Sequence, residues 1–193
     1  DVANFEHSDP FSVAAWIKGD PQDDGVIAAR SDSADGGRGW AVSLGKGSVS
    51  FHLVSNNADN AIKAHAHAEM SNEHWYHVVA TYDGSGKAEG VKVYVDSVAL
   101  KTEVDQDNLS RTTKTYQVMS VGRRSDGAIF KGEMDDLRLI AMGTKKSLAP
   151  KPKERRPAKE KWTWWSHWPI CLMTGVVVTK LRAKAKPAPT NAV

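Results

Sequence analysis

Cysteine is nearly absent from this chain of 193 residues, where Cys171 stands alone. A single thiol excludes an intrachain disulfide, a paired-cysteine zinc site and the Cys-x-x-Cys-His attachment of a haem. Proline is scarce before residue 143, with two of the eight, and crowded after it, with six. Apolar residues at helical spacing are missing from residues 1–142, so no amphipathic helix is expected there. The chain opens on Asp1 with neither a methionine nor a secretory leader, which reads as a fragment of a longer protein.

Charge of one sign is also missing, but only on average. The net +3 combines 14 Lys and Arg against 21 Asp and Glu in residues 1–142, a net of −7, with 12 against 2 in residues 143–193, a net of +10. The expected organisation is therefore one domain over 1–142 and a basic, mostly irregular tail rich in Pro, Lys and Trp over 143–193, disordered or interfacial. A chain of this length buries a real core without help from disulfides or metals.

What is present is alternation. Phe11, Val13, Ala15 and Ile17 share one face of a stretch whose other face is Ser12, Ala14, Trp16 and Lys18, which is strand patterning. It returns in Trp40, Val42 and Leu44 and, across Gly45-Lys46-Gly47, in Val49, Phe51 and Leu53, predicting a hairpin. Further strands are expected over Ile62–Met70, Trp75–Tyr82, Val91–Val95, Gln117–Gly122 and Ile129–Met142, with Asp83-Gly84-Ser85-Gly86 and Asp96-Ser97 as turns. Many short strands with polar turns predict an all-β, two-sheet antiparallel sandwich or jelly roll.

Four blocks then carry a resemblance: Phe11 to Ile17, His74 to Ser85, Val91 to Asp96, and Gly132 to Leu139. In this order and spacing they resemble the laminin-G-like, concanavalin-A-like jelly-roll family over residues 2–141. Asp59 to Lys63 and the Tyr82 to Lys87 loop are most similar to the version carried by large planctomycete secreted proteins that also hold a cytochrome-c-like domain, although no haem part lies in this chain. The family's Val-Asp-Gly turn has Ser97 in place of its glycine, so that turn is expected to be strained. The first family strand looks clipped at Asp1 to Phe5.

The resemblance implies a non-catalytic binding or adhesion module for an extracellular or periplasmic glycan, cut from a larger secreted protein. A structural accessory domain that docks on its neighbours, presenting a large apolar patch, is the alternative. A glycoside hydrolase is the third, since relatives of this fold use Glu-x-Asp-x-Glu on one strand to set two carboxylates on one face. Here the run is Glu133-Met134-Asp135-Asp136-Leu137, so the set is incomplete and argues against an enzyme.

Ligand contact is expected from Arg38, Trp40, His52, Asn60, Arg123 and Arg124, an aromatic with amide, imidazole and guanidinium groups of the kind that hold sugar hydroxyls. For Trp40 the core reading is the stronger one, because it alternates with Val42 and Leu44. A structural Ca²⁺, which wants about six to eight oxygens, would draw on Asp135 and Asn4, with Asp136, Asp1 and backbone carbonyls, whereas plain carboxylate hydrogen bonding at a sheet corner explains the same residues. His65, His67 and Glu69 share one strand face and could hold a transition metal, or form a solvated face. In the tail, residues 162–179 hold four tryptophans and an apolar run, suited to weak contact with a membrane interface rather than to spanning. The acidic domain beside the tail argues against nucleic acid.

Overall fold

The computed structural model describes residues 2–141 and the backbone of residues 181–184. Along the chain the strands are β1 (Phe11–Gly19), β2 (Gly25–Asp32), β3 (Arg38–Gly45), β4 (Ser48–Asn56), β5 (Asn60–His67), β6 (Tyr76–Tyr82), β7 (Val91–Val95), β8 (Val98–Ala99), β9 (Thr102–Asp107), β10 (Ser120–Val121), β11 (Gly132–Ala141) and β12 (Leu181–Lys184). They form two antiparallel sheets, ordered β12-β11-β1-β6-β7-β8 and β10-β2-β3-β4-β5-β9. The all-β sandwich expected from the alternation is what the chain forms.

The alternation places the core between the sheets. Phe11, Val13, Ala15 and Ile17 of β1 and Val78, Ala80 and Tyr82 of β6 face inward from the first sheet, and Trp40, Val42, Phe51, Leu53 and Ile62 meet them from the second. At one end the rings interlock: Phe5 stacks on Phe11 with centroids 4.2 Å apart, while Phe11 lies 5.6 Å from both Trp40 and Phe51. Each such pair adds about 0.5–1.5 kcal/mol beyond its buried area.

Two strands lacked the pattern that would have revealed them. In β2 every residue from Gly25 to Ser31 is buried, so no polar face exists to alternate with an apolar one. In β9 the sequence Thr-Glu-Val-Asp-Gln-Asp forms a largely exposed sheet edge. Strand β5 stops at His67, short of the expected Met70, and β12 pairs antiparallel with β11, adding a strand from the stretch expected to be irregular. The expected membrane-interface segment, residues 162–179, lies outside the described residues. Among the described residues no helix is long and apolar enough to cross a membrane.

In β11 the two-residue period is broken by a bulge. Ala14 pairs with Arg138 but Trp16 with Asp135, so Asp136 and Leu137 together oppose Ala15. Asp136 takes φ 49°, and the extra residue lets both Met134 and Leu137 point into the core. The Asp136 carboxylate accepts two bonds from the Arg138 guanidinium, at 3.1 and 2.7 Å.

The two-residue turns are of the mirror-image kind that matches strand twist. Lys46 and Gly47 take φ 52° and 71° between β3 and β4, and Asp96 and Ser97 take φ 49° and 73° between β7 and β8. Ser97 is thus held where an L side chain costs roughly 1 kcal/mol. Replacing Ser97→Gly is expected to raise stability by about 0.5 kcal/mol after the extra unfolded-chain entropy of glycine is subtracted. Urea denaturation reads this directly, and a midpoint that falls would show that Ser97 is not strained in its turn.

Candidate functional site

With Trp40, Val42, Phe51, Leu53, Ile62 and Ala64 turned inward, their neighbours along β3, β4 and β5 must project from the other face of the second sheet. Ala41, His52 and Lys63 thereby line up in one cross-strand row. They form the floor of a cleft of about 330 Å³, walled by the loop through Ser33, Gly36 and Gly37, by Asn57, and by Arg124 and Asp126.

The first wall is folded by Asp32. Its carboxylate accepts from Ala34 N at 3.0 Å, its carbonyl accepts from Gly37 N at 2.8 Å, and Asn57 N then donates to Gly36 O at 2.8 Å, tying two loops together. Where the loop re-enters the sheet, Gly39 has φ 125°, and a Cβ there would sit 1.9 Å from the Arg30 carbonyl. Only glycine fits.

The opposite wall is the tight 124–128 turn. Arg124 donates from Nε and Nη2 to Asp126 Oδ2 at 2.9 and 2.5 Å, Arg124 N donates to Ala128 O at 2.9 Å, and Ala128 N donates to Asp126 Oδ1 at 3.2 Å. Ser125 stitches this turn to the end of β2, its Oγ donating to Ser31 O at 2.9 Å and accepting from Ser33 N at 3.1 Å.

Between the walls the charges are ordered. Burial, and then the positive charges of Lys63 and Arg124, lower the His52 pKa to about 4. At neutral pH His52 is therefore an uncharged imidazole with one donor and one acceptor. The Arg124 hydrogen bonds hold the Asp126 carboxyl below the usual carboxylate range. Lys63 Nζ donates to Asn57 O at 3.0 Å. Ser31 lines the same cleft with a buried Oγ that makes no hydrogen bond among the described residues. A buried hydroxyl without a partner is costly.

Of the six residues expected to contact ligand, His52 and Arg124 bring their side chains to this cleft. Trp40 lends it only main chain, because its indole is buried in the core and donates from Nε1 to Ala3 O at 2.8 Å. Arg38 is folded back on Asp35 at 3.0 Å, beside the wall. Arg123 is exposed and lies in a bridge with Ile129 outside the cleft. Asn60 is a clasp rather than a binding group: buried, it donates to Asn108 O and Ser110 Oγ at 3.1 and 3.0 Å and accepts from Ser110 N and Arg111 N at 3.2 and 3.1 Å. Both ends of its amide are thus committed.

The expected calcium ligands do not come together. Asn4 Oδ1 accepts from Thr115 N at 3.0 Å near the Phe11 end of the sandwich, while Asp135 pairs with Trp16 near the other end of β1, its Oδ1 accepting from Asp136 N at 2.8 Å. Asp1 lies outside the described residues, and Asp136 is engaged by Arg138, so this set does not fit one Ca²⁺. His65 is drawn away from His67 and Glu69 by Asp105 at 2.9 Å and Glu103 at 3.7 Å on β9. Among the described residues no three His, Cys, Asp or Glu gather to hold a metal.

Sequence reasoning passed over Lys63, Ser31, Asn57 and Asp126. Lys63 was not within reach, because the turn that leaves Asn56 opposite Asn60 would set Lys63 across from Leu53, and a bulge at Ser55 shifts the register by one to bring it to His52. Nor was Ser31, since β2 itself gave no periodic signal.

A family model for laminin-G-type domains, described as the concanavalin A-like lectin/glucanases superfamily, matches residues 1–141. Among solved structures, domains LG4-5 of the mouse laminin alpha1 chain align with a TM-score of 0.51 at 17% identity, covering 72% of this chain and 38% of that one. The CBM40 of the Ruminococcus gnavus IT-sialidase, bound to alpha2,3 sialyllactose, aligns at 0.50 and 10% identity, covering 69% and 75%. The SAP-like pentraxin of Limulus polyphemus aligns at 0.50 and 18% identity, covering 72% and 71%. This chain thus spans well under half the length of the laminin fragment. No curated protein sequence matches it.

Two outcomes follow from these contacts. Asn60→Ala is expected to cost about 2–3 kcal/mol, the loss of several bonds with partners left buried, measured by urea denaturation. His52, depressed to about 4 from the ordinary 6.5, stays neutral in the fold while the unfolded chain takes up a proton, so stability falls as pH drops from about 6.5 to about 4. This contribution is on the order of 2–3 kcal/mol. Thermal melts of the wild type and His52→Gln across that window should show the variant losing less; equal losses would place the acid sensitivity elsewhere.

Proposed function

Because the chain belongs to the laminin-G-type domains of the concanavalin A-like lectin/glucanases superfamily, we propose that it is a non-catalytic module that binds a glycan in the cleft over the second sheet. The observation that carries this reading is the cleft itself: a neutral His52, the Asn57 amide and two cations converge on one small concavity. Sugars are bound by such convergent hydrogen-bonding groups, each hydroxyl serving as donor and acceptor. A related architecture holds alpha2,3 sialyllactose in the Ruminococcus gnavus CBM40. Hydrolysis finds no support here, since Leu137 is buried in the core where a third carboxylate would stand, and Glu133 lies 3.8 Å from Lys18. In this reading the chain is part of a larger extracellular or periplasmic protein, of the planctomycete kind that also carries a cytochrome-c-like domain.

A second reading is favoured by a separate patch. Arg30 reaches the carbonyls of both Val2 and Thr115, which brings exposed Val2 toward the exposed Tyr116 and Val118. An apolar group of this kind suits docking against a neighbouring domain of the parent protein.

A glycan array with the full chain separates the two. Binding to a restricted set of glycans that drops at least about tenfold in His52→Ala, persists in Arg123→Ala and is the same with Ca²⁺ or a chelator is the expected result. Absence of glycan binding, or binding indifferent to His52, would leave the docking reading.

A further inference from the structure

The charges lining the cleft do not balance. Among the lining side chains Lys63 and Arg124 are cationic, His52 is neutral at neutral pH and Asp126 is the carboxylate, a surplus of one positive charge, while Asp105, close enough to act on His52, lies outside the lining and bonds His65. The surplus stands out against a domain whose net charge over residues 1–142 is −7.

The donors are also incompletely used. Lys63 Nζ spends one of its three N–H bonds on Asn57 O. Arg124 gives Nε and Nη2 to Asp126, and its Nη1 has no bond among the described residues. Water satisfies these donors while the cleft is open. A ligand filling the cleft strips that water away, and a neutral one would bury the surplus charge with no countercharge, which is costly. A ligand with a single negative charge removes the penalty and gains charge-assisted hydrogen bonds. A doubly charged phosphate would overshoot the balance and face Asp126.

We infer that the cleft selects a saccharide bearing a carboxylate, a uronate-type sugar, with the carboxylate between Lys63 Nζ and Arg124 Nη1 and the ring hydroxyls toward His52 and Asn57. This rests on the glycan reading above and names the class of sugar. The Arg124 to Asp126 tie keeps the guanidinium plane in place before ligand arrives, so the acceptor geometry is set in advance. The cleft is at the small end of ligand sites, which suits the end of a saccharide better than a long polymer run.

The test is calorimetric titration of the full chain with disaccharides in matched sets: a uronate-bearing member, its carboxyl-reduced neutral counterpart, and the corresponding 6-sulfate. The basic tail attracts any anion, so each titration is repeated with Lys63→Met and Arg124→Gln, which leave the tail unchanged. Lys63 is partly exposed and its apolar stem is retained in Met, and circular dichroism checks that both variants keep the wild-type fold. The expected result is uronate affinity at least about tenfold above both counterparts, with that preference lost in each variant. Uronate and neutral members binding alike, with affinity still dependent on His52, would overturn the carboxylate assignment while leaving a glycan site. Preference for the sulfate would overturn it in favour of a different anion. Binding of no member of any set would remove the glycan reading and this inference together.

Discussion

Trp40 is where the two sheets and the N-terminal segment are joined. Its indole, almost wholly buried, packs on Phe11 at the end of the first sheet and on Phe5 of the N-terminal segment, and donates from Nε1 to Ala3 O. That bond draws residues 3–5 across the open end of the sandwich. Thr113 Oγ1 donating to Phe5 O at 2.7 Å and Thr115 N donating to Asn4 Oδ1 then fasten the 112–115 loop to the same segment. A tryptophan N–H in an apolar core needs a partner, and a segment held by its main chain is the partner this fold supplies. The rest of the ring cluster, Phe51 and Tyr82, is positioned against that anchor.

The same residue fixes the cleft from behind. Side chains alternate across a strand, so an immobile Trp40 determines where its neighbours Gly39 and Ala41 sit on the opposite face. The close approach of Gly39 to the Arg30 carbonyl locks β3 onto β2, and Ser125 locks the 124–128 turn onto Ser31. Both walls are therefore tied to strands whose inner faces are close-packed. A binding site needs such support if its hydrogen-bonding groups are to be in place before ligand arrives.

How much of this could be read in advance follows from which physical signals reach the sequence. Strands in which large apolar residues alternate with small or polar ones announced themselves, as Phe11 to Ile17 and the Trp40 to Leu53 hairpin did, although Ser12, Ala14 and Ala41 on their other face are buried too. Strand β2 is buried on both sides and β9 is an edge, so neither carries that contrast. In the site, the chemistry of His52 and Arg124 was legible from residue type, but their meeting depends on strand register and on a long-range turn. Asn60 has the same chemistry as a ligand-binding amide, and only its burial against Asn108 and Ser110 decides that it is structural.

Topology also separates the acidic residues of β11 from the cleft. Glu133 and Asp135 lie on β11 in the first sheet, whereas the cleft is on the outer face of the second. Packed sheets stand about 10 Å apart, with each outer face further still, so those carboxylates cannot reach a sugar held over His52. Within the cleft Asp126 is the carboxylate present, and both of its oxygens are engaged, one by Arg124 and the other by Ala128 N. A glycosidase needs a pair roughly 5–9.5 Å apart, one of them free to accept or give a proton. A lone carboxylate held ionised by a guanidinium is instead a positioning device, and what it positions is a cation facing the open cleft.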